Sequence, residues 1–80
     1  MVDFIVVYVT AGSGAEAENL AQTLVSERLA ACVNRIRSVH STYRWQGQIE
    51  QSDEELLIIK TRKELFPALE RRVRELHSYS

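Results

Sequence analysis

The order of hydrophobic patterns predicts an α+β domain arranged β-α-β-β-α, and three observations carry that expectation. A continuous β-branched and aromatic run, Phe4–Val9, precedes a helical stripe. Two long strand-like runs, Ala31–Trp45 and Gln48–Thr61, then face each other across a two-residue turn. The final third returns to a helical period at Leu65, Leu69, Val73 and Leu76. The paired runs say most. At about 3.3 Å per residue, a fifteen-residue strand spans roughly 50 Å. A globule of this length has a radius of gyration near ~12 Å and a diameter of about 30 Å. A straight ribbon that long must bend, fray or pack its outer half on another copy of the chain. An isolated two-stranded ribbon is marginal in water, so self-association is the expectation.

Each element has a local reason. Phe4-Ile5-Val6-Val7-Tyr8-Val9 suits a central strand buried on both faces. Thr10–Gly14 breaks it, and Ser13-x-x-Glu16 reads as a capping box that opens a helix. Ala17, Leu20, Ala21, Leu24, Val25 and Leu29 form one apolar stripe, with Glu16, Glu18, Asn19, Gln22, Ser26 and Glu27 facing water. After Leu29 the period changes, and Gly47 supplies the positive φ that a tight turn needs. The hairpin reads as dry at its base, near Val33 and Leu57, and wetter at its tip, near Trp45 and Ile49. Tyr43 and Trp45 at a wet tip have no intramolecular reason to be there and fit an interface. Thr61-x-x-Glu64 offers a second capping box, with Pro67 early in the helix that follows.

The order lacks one strand of the ferredoxin-like split βαβ arrangement. The apolar Phe4–Val9 strand is then expected to leave a bare edge, which is an aggregation hazard unless covered. We read residues 1–80 as a single domain of this class, truncated before a final strand.

Composition narrows the function classes. Eighty residues make one small domain, which buries only about 60–65% of its unfolded surface. The single cysteine, Cys32, excludes an internal disulfide and leaves association as the natural support. A net charge of −1 gives no basic field to recruit nucleic acid. No apolar run approaches the ~20 residues of a membrane span, and the first residues lack the basic start of a signal peptide. A cytoplasmic location is the default expectation.

Four ordered segments carry a resemblance. They are Arg28-Leu29-Ala30-Ala31-Cys32-Val33-Asn34, Ser41-Thr42-Tyr43-Arg44-Trp45-Gln46-Gly47-Gln48-Ile49-Glu50, Glu54-Glu55-Leu56-Leu57-Ile58-Ile59-Lys60-Thr61 and Leu76-His77-Ser78-Tyr79. Together they resemble the CutA family of divalent-cation-tolerance proteins over essentially the whole chain. The resemblance implies a ferredoxin-like, PII-like subunit in a homotrimer whose long hairpins extend onto neighbouring subunits. It also implies tolerance to copper and other divalent cations without an established catalytic reaction. The chain departs from the family where His-Pro-Tyr becomes His77-Ser78-Tyr79. It departs again where some members carry a thiol and a second histidine, at positions that are Val9 and Leu76 here.

Several residues are candidates for function. Cys32, among Ala30, Ala31 and Val33, reads first as a small buried hydrophobe and otherwise as a soft copper ligand. His77 near a helix C-terminus complements the helix dipole or, as the resemblance implies, ligates a metal. His40 sits midway along a strand at the surface or an interface. Glu50, Asp53, Glu54 and Glu55 are an acidic group, but strand alternation sends Glu54 and Glu55 to opposite faces. Lys60 is a candidate partner for an anion in a cleft, or snorkels to solvent. Tyr43 and Glu54 are candidates for the same cleft. Tyr43, Trp45 and Ile49 are expected at the trimer interface, and Arg71, Arg72 and Arg74 on a solvated helix face.

The leading functional expectation is a non-enzymatic homotrimer of divalent-cation homeostasis, taking copper, another divalent cation or a small ligand between subunits. The alternative is a PII-like trimeric sensor of a small effector, although Gly12-Ser13-Gly14 is too short to count as a phosphate loop. An RNA-binding sheet lacks its stacking residues in Leu56-Leu57-Ile58-Ile59. No nucleophile–base–orienter set for an enzyme emerges from the sequence.

Overall fold

The computed structural model describes residues 2–77. The elements are β1 (Phe4–Ala11), α1 (Gly14–Ser26), β2 (Cys32–Trp45), β3 (Gln48–Arg62), a 3-10 turn (Lys63–Leu65) and α2 (Phe66–Leu76). The sheet is antiparallel in the order β1-β3-β2, so β3 is its centre. The two helices cover one face of the sheet. This is the βαββα arrangement of a ferredoxin-like fold.

The core forms where the helical stripe meets alternate strand residues. Ala17, Leu20 and Leu24 of α1 and Leu69 of α2 are buried against Ala11, Leu57 and Ile59, with Val7, Val9 and Val33 packed around them. The odd residues of β3 from Glu55 to Thr61 therefore point at the helices. The even ones, Leu56, Ile58 and Lys60, point to a face that no helix covers.

Four sequence expectations change. β1 is an edge strand, as the expected bare edge requires, but it is not a central strand buried on both faces. Phe4, Val6 and Tyr8 are exposed on its open side, and its outer edge is unpaired among the described residues. A groove of about 690 Å³ runs along that edge between Val6–Tyr8 and Phe66-Pro67. α1 stops at Ser26, because Arg28 adopts φ 61° and turns the chain toward β2. Leu29 then packs on the core from outside the helix, while Val25 is exposed. Thr61 does not cap the second helix. It stays in β3 and its hydroxyl donates 2.7 Å to the Leu29 carbonyl, while Pro67 stands in the first turn of α2. Finally, Arg72 is not a free surface cation. It grips both carboxylate oxygens of Glu27 at 2.9 Å and ties α2 to the end of α1.

The hairpin solves its length problem by bending, and still protrudes. The pairing register slips between Ile36 and Val39, and Ser38 takes φ 61°. Such a bulge increases local twist and redirects the strand. The long axis of the molecule is 44 Å against 23 and 20 Å for the others. Beyond the bulge, β2 and β3 have only each other. The arm ends in Gln46-Gly47, with φ 50° and 79°, the paired positive values of a tight type I′ hairpin turn.

Candidate functional site

Two charged corners and one exposed arm result from this fold. The first corner lies at the start of α1. Ser13 caps the helix, its Oγ accepting 3.1 Å from the Glu16 backbone N–H. The Glu16 carboxylate reaches back to the Gly12 N–H at 3.1 Å, so the loop between β1 and α1 is closed by two reciprocal bonds. His77, at the C-cap of α2, folds over the same loop. Its Nε2 donates to the Thr10 carbonyl at 2.5 Å, and a Glu16 oxygen lies 4.0 Å away.

The second corner is the Arg35–Glu55 pair, which neighbours the first through Gly14. Arg35 donates to both Glu55 oxygens, at 2.9 and 3.2 Å, and to the Gly14 carbonyl at 3.2 Å. Glu55 is largely buried, and Arg37 adds a second cation at 4.0 Å. The Arg35 hydrogen bonds hold the Glu55 carboxyl below its usual range and raise Arg35 in turn. A bidentate guanidinium clamp of this kind is geometrically specific. It joins β2, β3 and the N-terminus of α1.

The arm carries the exposed aromatics. Tyr43 is 42% exposed, Trp45 61% and Ile49 67%. Register places Tyr43 opposite Glu50 and Trp45 opposite Gln48, while Ile49 opposes Arg44. The arm is therefore apolar on both of its faces, since Tyr43 and Trp45 share one side and Ile49 takes the other. Nearer the bulge, the His40 imidazole bridges Asp53 at 2.9 Å and Gln51 at 3.0 Å. Its pKa is raised, first by the Asp53 bond and then by the Gln51 bond.

The predicted site residues do not converge. Cys32 is exposed rather than buried, at the start of β2 with Lys60 opposite it on the open sheet face. Its thiol is 3.9 Å from the Asn34 side chain. Lys60 in turn opposes Val6, whereas His77 reaches the level of Thr10. Four residues of strand, about 13 Å, separate those levels, so Cys32 and His77 cannot share one ion. No group of three or more His, Cys, Asp or Glu gathers around a metal-sized space among the described residues. The described residues of one chain thus bring no such ligand set together, and the His77 Nε2 is committed to a carbonyl. Lys60, Glu54 and Tyr43 occupy the open face but are spread along it, Lys60 and Glu54 six residues or about 20 Å apart. Ser78 and Tyr79 of the His-x-Tyr segment lie outside the described residues. Sequence reasoning missed the Arg35–Glu55 clamp entirely. Only the hairpin register, counted from the Gln46-Gly47 turn across the bulge, brings those two residues together.

Comparison with known proteins agrees with this architecture. The model of the CutA1 divalent ion tolerance protein family matches residues 5–80. The divalent-cation tolerance protein CutA of Thermus thermophilus is 47% identical over 75 residues, covering 94% of this chain and 73% of that protein. The chloroplastic CutA 1 of Oryza sativa is also 47% identical, but the match covers 42% of its length. The crystal structure of CutA1 from Oryza sativa superposes with a TM-score of 0.95 at 46% identity, over 98% of this chain and 72% of that one. The Thermus thermophilus structure gives 0.92 at 46% identity, over 95% and 74%. The fold is thus shared with these solved relatives, and the chain belongs to the CutA1 divalent ion tolerance protein family.

Proposed function

We propose that this chain is a subunit of a non-enzymatic homotrimer that protects the cell against divalent cations, copper among them. The observation that carries the reading is the exposed apolar arm on a chain of this family. Trp45, Tyr43 and Ile49 stand in water on a ribbon that no helix supports. Tryptophan and tyrosine at such positions are the residues that anchor interfaces. The open sheet face, with Phe4, Val6, Tyr8 and Ile36 exposed, is the natural surface for a neighbour's arm. Relatives named for divalent-cation tolerance supply the physiological direction. A cation would draw donors from more than one subunit, because the described residues of one chain do not gather three. We place the protein in the cytoplasm on its single free thiol, although the Archaeoglobus fulgidus relative is named periplasmic.

The test is a growth challenge. A host lacking the chain should become sensitive to added Cu²⁺, and the wild-type chain should restore growth while Trp45→Ser does not. Unchanged copper sensitivity on deletion would contradict the proposed role.

A further inference from the structure

On the arm, just beyond the bulge, two side chains with metal-ligand chemistry stand close together in open water. His40 and Asp53 are opposed across β2 and β3, and the imidazole Nδ1 lies 2.9 Å from the Asp53 Oδ1. Gln51, two residues along β3, sets its Oε1 3.0 Å from the other ring nitrogen, Nε2. Both ligand side chains are open to solvent, His40 at 60% and Asp53 at 82%. Strand alternation puts the trio on the side of the arm that carries Ile49, away from Tyr43 and Trp45.

Gln51 gives the pair its direction. An amide oxygen only accepts, so Nε2 keeps its hydrogen and Nδ1 is the nitrogen that can release one. A ring held this way presents the Nδ1 lone pair beside a carboxylate, with the outer hydrogen bond that orients metal-bound histidines. The spacing is informative as well. Two adjacent ligands on bonds of about 2.0 Å lie about 2.8 Å apart in a square arrangement and about 3.3 Å apart in a tetrahedral one. The 2.9 Å separation, held by a hydrogen bond in the free chain, is close to the square edge. One imidazole nitrogen and one carboxylate oxygen so placed suit Cu²⁺ ahead of Zn²⁺. Mg²⁺ and Ca²⁺ take oxygen ligands alone and are poorly served.

We propose that His40 and Asp53 form a two-donor site for a tetragonal divalent cation, Cu²⁺ above all, with Gln51 orienting the imidazole. The site rests on the cation-handling role proposed above and gives that role an address on the arm. The incoming ion replaces the proton shared by Nδ1 and the carboxylate, and that proton leaves to solvent. Nδ1 and Oδ1 fill two adjacent ligand positions, and water or a donor of a second copy fills the others. No third His, Cys, Asp or Glu among the described residues joins them. Two protein donors hold an ion more loosely than the three or four of a resident metal centre, which suits an ion handled as cargo.

The wild-type chain, His40→Ala, Asp53→Asn and His77→Ala are each checked for folding by circular dichroism and titrated calorimetrically with Cu²⁺, Zn²⁺ and Mg²⁺. Electron paramagnetic resonance of the Cu²⁺ complex then reads coupling to imidazole nitrogen. The wild-type chain should bind Cu²⁺ saturably, more tightly than Zn²⁺ and far more tightly than Mg²⁺, with a tetragonal spectrum and nitrogen coupling. His40→Ala should weaken Cu²⁺ binding about tenfold or more and remove that coupling. Asp53→Asn should weaken binding about tenfold and keep the coupling. If His40→Ala does not fold, Asp53→Asn carries the test. The site is overturned if the wild-type chain takes up no Cu²⁺ saturably, if His40→Ala and Asp53→Asn bind as wild type does, or if only His77→Ala loses affinity. Failure of the cellular role reads differently: deletion then leaves copper sensitivity unchanged while His40-dependent binding persists.

Discussion

His40 shows how a surface residue can report on the arm. Both ring nitrogens lie against acceptor oxygens of Asp53 and Gln51, an arrangement that suits the doubly protonated imidazolium. Its pKa is accordingly raised above the ordinary value near ~6.5. A raised value means that the contribution is fully present below the ordinary pKa and is lost as pH rises through the folded one. Amide exchange of residues 39–54 should therefore be slower, relative to intrinsic rates, at pH 5.5 than at pH 8. In His40→Gln that difference should disappear, and an unchanged pH dependence would remove His40 from the account. Glu55 acts in the opposite sense. Its lowered pKa, held down by Arg35, contributes stability at neutral pH that is lost as pH falls through the lowered value. Denaturant titrations at pH 7 and pH 3 should show Glu55→Gln losing stability at pH 7 and differing little from wild type at pH 3. Neither partnership was legible in the sequence. Arg35 and Glu55 are separated by 20 positions. Their meeting depends on a register that the bulge resets, and a bulge at Arg37-Ser38 has no glycine to announce it. Cys32 was misjudged for a related reason. Its small apolar neighbours suggested burial, but strand parity turns it to the open face beside Lys60.

At the level of elements, the hairpin was the most legible part, because its two runs and its Gln46-Gly47 turn are local signals. Both strand boundaries fall within one residue of expectation. The first helix was equally clear at its start, where Ser13 and Glu16 cap it, and less so at its end. Leu29 continues the apolar spacing after the chain has left the helix through Arg28. β1 misled because a continuous apolar run looks the same whether its second face is buried by helices or left for a partner. Two substitutions separate these roles. Leu57→Ala at the centre of β3 removes a fully buried side chain and should cost about 2–5 kcal/mol in denaturant unfolding. Trp45→Ser removes an exposed one from the arm. It should leave the secondary structure of the subunit intact while weakening association by roughly 30-fold or more, the scale of an interface anchor. A Trp45→Ser chain that associates as tightly as wild type would show that the arm is not an interface.

The molecule as a whole is a small domain with more exposed apolar surface than its size can carry alone. The helices and one sheet face make a conventional core of Leu20, Leu24, Leu57, Ile59 and Leu69. A second apolar set, from Phe4, Val6 and Tyr8 on the open face to Trp45 and Ile49 near the arm's tip, is exposed. That asymmetry was foreshadowed by the length of the two runs, and the 44 Å long axis keeps it in the folded state. The functional site was far less legible, because residues that could act together lie on different faces of one subunit. No three His, Cys, Asp or Glu side chains gather around one ion among the described residues. Measurement of mass in solution addresses this most directly. Sedimentation equilibrium at micromolar concentration should give about three times the 9.2 kDa of one chain. A species that remains at 9.2 kDa across that range would contradict the account.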